Sequence, residues 1–169
     1  RLDWLMEQAE KNDLKIVLAV GRKTPRWPEC HLPDWAKDKE YKQYKPELFE
    51  YIKEVVKRYK DNSALQVWQV ENEPFLAFGH CETLKEKQLQ KEIEAVRKID
   101  NNQKILITDS GELSTWRKTA KAGDLFGTTM YRIVWNEWIG YMSYDWLPAI
   151  FYKGKLKLVG LDPKRANII

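Results

Sequence analysis

The chain has 169 residues, with 29 basic and 25 acidic side chains and a net charge of +4. That length suits one domain with a sizeable core, and 43% hydrophobic with 32% charged residues is a globular balance. Lys and Arg are interleaved with acids, which argues against a dedicated nucleic-acid surface, and no apolar run approaches the roughly 20 residues that span a bilayer.

Leu2, Leu5, Met6 and Ala9 share one helical face and predict a helix that stops near Asn12 and Asp13. Lys15 to Val20 (KIVLAV) is a short run without polar alternation, of the kind found in parallel strands covered on both faces. Residues 21–35 hold three prolines and a glycine, so they form a long loop. Leu48, Ile52, Val55, Val56 and Tyr59 mark an amphipathic helix with Pro46 in its first turn. Leu65 to Val70 is a second strand, ending on Glu71-Asn72-Glu73-Pro74. Thr83 and Glu86 have capping-box spacing and open a helix that turns Leu89, Ile93 and Val96 inward. Lys104 to Thr108 is a third strand, and Ser114 caps a short helix through Trp116 and Ala120. Leu125 to Met130 is a weaker fourth strand, followed by a loop rich in Trp and Tyr. Pro148 to about Val159 is a last helix, and residues 166–169 look like a strand beginning.

Repeated strand–helix units predict an α/β fold with a parallel sheet and right-handed crossovers. Gly21 stands alone after the first strand, without the glycine-rich phosphate turn of a dinucleotide-binding fold. The unusual loops, 21–35, 71–82, 109–113 and 131–146, all follow strand C-termini, where barrel enzymes place their chemistry.

The sharpest feature is Asn72-Glu73-Pro74 after a buried strand. Glycoside cleavage needs one carboxylic acid to protonate the leaving oxygen and a second carboxylate as nucleophile or base. A semi-buried Glu with anionic neighbours keeps its proton near neutral pH, and Asn72 can hydrogen-bond a sugar hydroxyl beside the reacting carbon. Glu71 is the rival; strand alternation puts it on the face of Glu73, and a buried structural carboxylate paired with Arg26 or Arg132 is its expected role.

In these residues the chain resembles the clan of (β/α)₈-barrel glycosidases that includes cellulases, β-mannanases and β-galactosidases, and within it bacterial cellulase-like proteins. In that clan Asn-Glu closes barrel strand four, and Glu is the acid/base. The resemblance runs in order along the chain. Residues 15–35, with Arg26-Trp27-Pro28-Glu29-Cys30-His31, look like strand three and its loop; 104–112 look like strand five; 125–132 look like strand six. It implies Glu73 as catalytic residue of a retaining O-glycosyl hydrolase, Tyr131 near the nucleophile, and His31 as a sugar contact. Arg26, Trp27, Asn72 and Trp135 complete the candidate substrate-binding set.

The clan's nucleophile is a Glu at the end of strand seven. Residues 166–169 would begin that strand, so the nucleophile is expected downstream of residue 169. The whole chain is then one partial TIM barrel, about strands 3–6, truncated at both ends, and inactive alone. Glu112 and Glu137 are internal substitutes, more readily explained as binding or surface residues. No metal or cofactor is expected, and the partner is a carbohydrate, with no nucleic acid, membrane or specific protein partner. The compartment stays open, an extracytoplasmic one included.

Cys30-His31 and His80-Cys81 leave three states open: free thiols, which the sequence favours, a disulfide, or a zinc site of unusual spacing. Eight Trp is a high number. Trp27, Trp35, Trp116, Trp135, Trp138 and Trp146 lie in or beside the predicted active-face loops, where an indole can stack on a pyranose ring or simply pack the loop. Two other readings stand against the enzyme: a carbohydrate-binding barrel without its nucleophile, and an unrelated small α/β domain such as a flavodoxin-like fold.

Overall fold

The computed structural model describes residues 1–26, 29–77, 81–112, 114–136 and 138–168. Helix α1 (Leu2–Lys11) leads into β1 (Ile16–Val20), and α2 (Tyr41–Tyr59) into β2 (Leu65–Val70). Helix α3 (Glu86–Arg97) precedes β3 (Lys104–Asp109), and a 3₁₀ turn (Thr119–Lys121) precedes β4 (Leu125–Thr128). A hairpin of β5 (Ile133–Asn136) and β6 (Gly140–Ser143) comes next, then α4 (Ala149–Leu158) and β7 (Ala166–Ile168).

The main sheet has the order β1-β2-β3-β4-β7, and every pair in it is parallel. Each strand lies beside the one before it in the chain, apart from the hairpin. A flavodoxin-like sheet would reverse its order at a switch point. The unbroken progression is that of part of a (β/α)₈ barrel.

Strand alternation divides the sheet chemically. Trp68 and Val70 of β2, with Ile105 and Ile107 of β3, join Ile52 and Val56 of α2 and Ile93 and Val96 of α3 in one apolar cluster. Each fully buried aliphatic side chain there contributes roughly 1.5–3 kcal/mol. Gln69 and Thr108 lie out of register with that set and face each other, Gln69 Nε2 donating to Thr108 Oγ1 at 3.3 Å. A second cluster, Trp116, Phe126, Leu147, Tyr152 and Leu161, packs α4 against β4.

Several local expectations are corrected. Helix α2 starts five residues before Pro46, because Gln43 Oε1 accepts the Glu40 N–H at 2.8 Å and closes a turn upstream. Pro46 removes one helical donor, and the added turn is held instead by the buried rings of Tyr41 and Tyr44. Gln88 does the same for α3 by accepting the Lys85 N–H, in place of the Thr83–Glu86 box. Leu5 is exposed although Met6 and Ala9 are buried, since α1 turns a narrow stripe inward. Val17 is 49% exposed, because β1 is an outer strand of this sheet and lacks the double cover its composition predicts. The helix expected from Ser114 is one 3₁₀ turn at Thr119–Lys121; Ser114 Oγ accepts the Trp116 N–H at 3.3 Å and donates to Asp109 Oδ2 at 2.7 Å, which holds the segment to the end of β3. The loop expected at 131–146 contains the β5–β6 hairpin, whose Ile, Val, Trp and Tyr favour extended pairing. Among the described residues no helix is long and apolar enough to cross a membrane.

Candidate active site

The carboxyl ends of β1, β2, β3 and β4 converge on Glu73. Strand β2 stops at Val70, and Glu71 (φ 60°) and Glu73 (φ 43°) both take left-handed backbone. Each such residue without a glycine's freedom costs on the order of 1–3 kcal/mol and persists only if its surroundings hold it. Here they do. The Glu71 N–H donates to the Val20 carbonyl at 2.9 Å and the Asn72 N–H to the Lys23 carbonyl at 2.8 Å. The Glu73 N–H donates to Thr108 Oγ1 at 3.0 Å. Asn72 Oδ1 accepts from Gln69 Nε2 at 3.0 Å and from Thr108 Oγ1 at 3.1 Å, which fixes its amide.

Because both glutamates lie beyond the strand, alternation does not put them on one face. Glu71 turns toward β1 and is fully buried. Its Oε1 accepts the Arg22 N–H at 2.8 Å and its Oε2 the Lys23 N–H at 3.0 Å. Its charge partner is Arg22, not Arg26 or Arg132. Arg132 instead donates to the Leu147 carbonyl at 2.6 Å. Gly21 makes the close approach possible: its φ is +123°, and a Cβ there would lie 2.5 Å from Glu71 Oε1. Gly21→Ala should therefore cost about 1–3 kcal/mol of stability, read as a lower denaturation midpoint of the full-length protein; an unchanged midpoint would contradict this packing.

Behind Glu71 lies Glu92 of α3, also fully buried, whose Oε1 accepts the Tyr41 hydroxyl at 2.7 Å. Burial and the adjacent Glu71 push Glu92 well above the usual carboxylate range. Burial raises Glu71 as well, but the Arg22 charge and two backbone N–H groups oppose it, so Glu92 is the member that keeps the proton. A raised native pKa stabilises the fold below the unfolded value and loses that contribution as pH rises through the native one. Stability should thus fall on the alkaline side, and Glu92→Gln, an uncharged isostere, should flatten that fall. Denaturant midpoints at acidic and alkaline pH measure it; an equally steep fall in the variant would show that Glu92 is not the group that keeps the proton.

Glu73 is 6% exposed. Burial, then the negative charge of Glu29, push it up to about 7, with Lys23 opposing and Asp109 and Glu112 adding to the rise. Lys23 Nζ donates to the Glu73 and Leu76 carbonyls, both at 3.0 Å, and lies 3.5 Å from Glu29 Oε2. Asp109 ends β3 and accepts from Ser114 at 2.7 Å and from the Thr119 hydroxyl at 2.6 Å. Tyr152 donates to Glu112 Oε1, and Lys155 Nζ ties down the same loop through the Gly111 and Ser114 carbonyls, each at 2.6 Å. Tyr131, after β4, is raised by burial and then by the charges of Glu73, Glu29 and Glu112. The cluster therefore has a proton-holding carboxyl at its centre, further carboxylates around it and a phenol at its rim.

The other candidates lie apart from that centre. Arg26 and His31 are both exposed; the His31 ring meets the Arg26 carbonyl at 3.3 Å, and no described contact joins either to Glu73. Trp27, His80 and Glu137 lie outside the described residues. Trp135 and Tyr141 are cross-strand partners on the hairpin and are 62% and 81% exposed. Trp116 is core, its Nε1 donating to the Ser110 carbonyl at 2.8 Å, and is closed to any ligand ring. Cys30 and Cys81 form a disulfide across the loops after β1 and β2, which removes both thiols from any zinc site. Among the described residues no group of His, Cys, Asp or Glu is arranged to hold a metal ion. The sequence marks Glu29 and Asp109 only as members of strand-end loops and does not mark Lys23 at all, for nothing local ties a loop lysine to a glutamate fifty positions away.

The model of the cellulase family, glycosyl hydrolase family 5, matches residues 1–165. The chain belongs to that family. No curated protein matches the chain. Among solved structures it is similar to xylanase 10B from Thermotoga maritima, at 17% identity and a TM-score of 0.63, over 95% of this chain and 52% of that one. Xylanase 10B from Thermotoga petrophila RKU-1, solved with xylobiose, gives 17% identity and a TM-score of 0.62, over 92% and 50%. The β-galactosidase from the psychrophilic Marinomonas ef1 gives 12% and 0.57, over 78% and 33%. At such identities the likeness is one of fold, and it agrees with the barrel-type strand order. The chain spans a third to a half of the length of these structures. Family membership also removes the reading as an unrelated small α/β domain.

Proposed function

We propose that the chain is the central part of the catalytic barrel of a retaining O-glycosyl hydrolase, and that Glu73 is its general acid/base. The observation that carries this is the Glu73 carboxyl buried at the end of β2, where burial and the surrounding anions push it up to about 7. A carboxyl half-protonated near the working pH is matched both to giving and to taking a proton. Protonated Glu73 donates to the leaving oxygen while a second Glu attacks the anomeric carbon. The Glu73 carboxylate then takes a proton from water, and the hydroxide released at that moment cleaves the glycosyl-enzyme.

The nucleophile of this scheme is a Glu downstream of residue 169; β7 is parallel to β4, so its carboxyl end lies on the same side of the sheet as those of the strands before it. Asn72, with its amide fixed, donates to a hydroxyl beside the reacting carbon. Tyr131 orients the nucleophile, and Arg26, Trp27, His31 and Trp135 contact sugar in the mouth of the site. The reaction needs neither metal nor cofactor, and the substrate is a carbohydrate. The cross-loop disulfide suits an oxidising compartment. The deciding experiment is Glu73→Gln in the full-length protein; undiminished glycosidase activity toward unactivated glycosides would reject the assignment.

A further inference from the structure

The loop after β1 folds back on itself. The Thr24 N–H donates to the Glu29 carbonyl at 2.9 Å, the His31 N–H to the Arg22 carbonyl at 2.8 Å, and Lys23 and Cys30 form an antiparallel bridge. Cys30 is then bonded to Cys81 in the loop after β2. Glu29 precedes this staple and takes left-handed backbone, with φ 63°. Such strain in a non-glycine residue is kept only where the surroundings impose it.

What the strain achieves is the placement of one carboxylate. Glu29 Oε2 is buried and has no hydrogen-bond partner among the described residues; its neighbour is the Lys23 ammonium at 3.5 Å. A buried carboxylate kept for structure would normally have its acceptors filled. Lys23, itself 1% exposed, spends its hydrogen bonds on the backbone carbonyls of Glu73 and Leu76. One ammonium thus joins the Glu29 side chain to the backbone of Glu73.

We propose that Glu29 and Lys23 are a pair of positioning residues for Glu73, in which Lys23 clamps the Glu73 backbone and Glu29 supplies an oriented negative charge beside its carboxyl. The proposal rests on Glu73 as the acid/base. The charged groups that act on the Glu73 carboxyl include Glu29 and Lys23 from the loop after β1 and Asp109 and Glu112 from the end of β3, and its own charge acts on Tyr131 after β4. Of the charged ones Glu29 acts most strongly, favouring the protonated form, and Lys23 follows with the opposite sign. The low-dielectric setting keeps both effects from being screened away.

The opposite signs make the test. The full-length protein is labelled with carboxyl-¹³C glutamate and titrated by NMR, and the Glu73 resonance is the one that Glu73→Gln deletes. Glu29→Gln should lower its midpoint by about half to one pH unit, a three- to tenfold loss of proton affinity. Lys23→Met should raise it, since the ammonium goes and Glu29 loses its counterion. A general loosening of the site would move both variants in one direction. A midpoint unmoved or raised in Glu29→Gln, or unmoved or lowered in Lys23→Met, overturns the proposal. Should Glu29→Gln fail to fold by circular dichroism, the sign in Lys23→Met decides alone. If the resonance deleted by Glu73→Gln titrates in the ordinary glutamate range in the unaltered protein, the acid/base assignment itself fails, which is a distinct result.

Discussion

In the full-length protein, Glu73→Gln should lower kcat/KM on glycosides with poor leaving groups by about 10² to 10⁴, equivalent to about 3 to 5 kcal/mol of transition-state stabilisation. Gln fills the same volume and leaves the Glu73 N–H on Thr108 and the carbonyl on Lys23, so the fold should survive and the loss should be chemical. The sign of the pH effect follows from the acid role proposed for Glu73. Glu73 must carry its proton in the first step, so activity should fall as pH rises through about 7, and this alkaline limb should be missing from the variant. Two controls separate acid/base loss from general damage. Glycosides with very acidic leaving groups need no protonation and should lose much less. Azide, a nucleophile that needs no deprotonation, should restore turnover of the stalled glycosyl-enzyme. A variant equally slow on all substrates and unmoved by azide would remove Glu73 from the reaction.

The second large effect concerns the Cys30–Cys81 bond, which closes 51 residues of sequence separation. Chain-entropy arithmetic for a loop of that size gives about 4 kcal/mol of stabilisation. Paired replacement by Ser should therefore lower the denaturation midpoint of the full-length protein strongly, and reduction should do the same to the unaltered protein. The closed segment contains α2, β2 and the turn at Glu71–Glu73, so the loss should fall on the face that carries Glu73 before the rest. Hydrogen exchange can follow this locally: the Asn72 and Glu73 amides, held by Lys23 and Thr108, should exchange faster on reduction. An unchanged midpoint after reduction would show that the two loops are held together without the bond.

Legibility in the sequence followed the range of the physics. Hydrophobic period is local, so β1, β2, β3 and α3 were readable within a residue or two from KIVLAV, LQVWQV, KILIT and the Leu89–Ile93–Val96 stripe. Asn72 and Glu73 were readable because strand end and motif coincide within a few residues. Helix α2 begins before the point its sequence suggests, since Pro46 is a loud signal and the Gln43 cap a quiet one. The β5–β6 hairpin is not legible in the sequence, because four-residue strands leave too little alternation to read.

By itself, then, the sequence determined the alternation of helix and strand, the parallel sheet that follows from it, and a Glu at the end of β2 with an Asn before it. These depend on neighbours in the chain. Tertiary structure alone decided that Glu71 binds the Arg22 and Lys23 amides and adjoins Glu92, whose carboxyl burial and Glu71 push well up, that Cys30 and Cys81 are joined, and that Lys23 links Glu29 to Glu73. The reason is distance along the chain. Glu71 and the Arg22 amide are 49 positions apart, and Lys23 and the Glu73 carbonyl 50. Charges and buried acceptors separated by that much chain carry no mark in the local pattern; only the folded sheet sets them side by side.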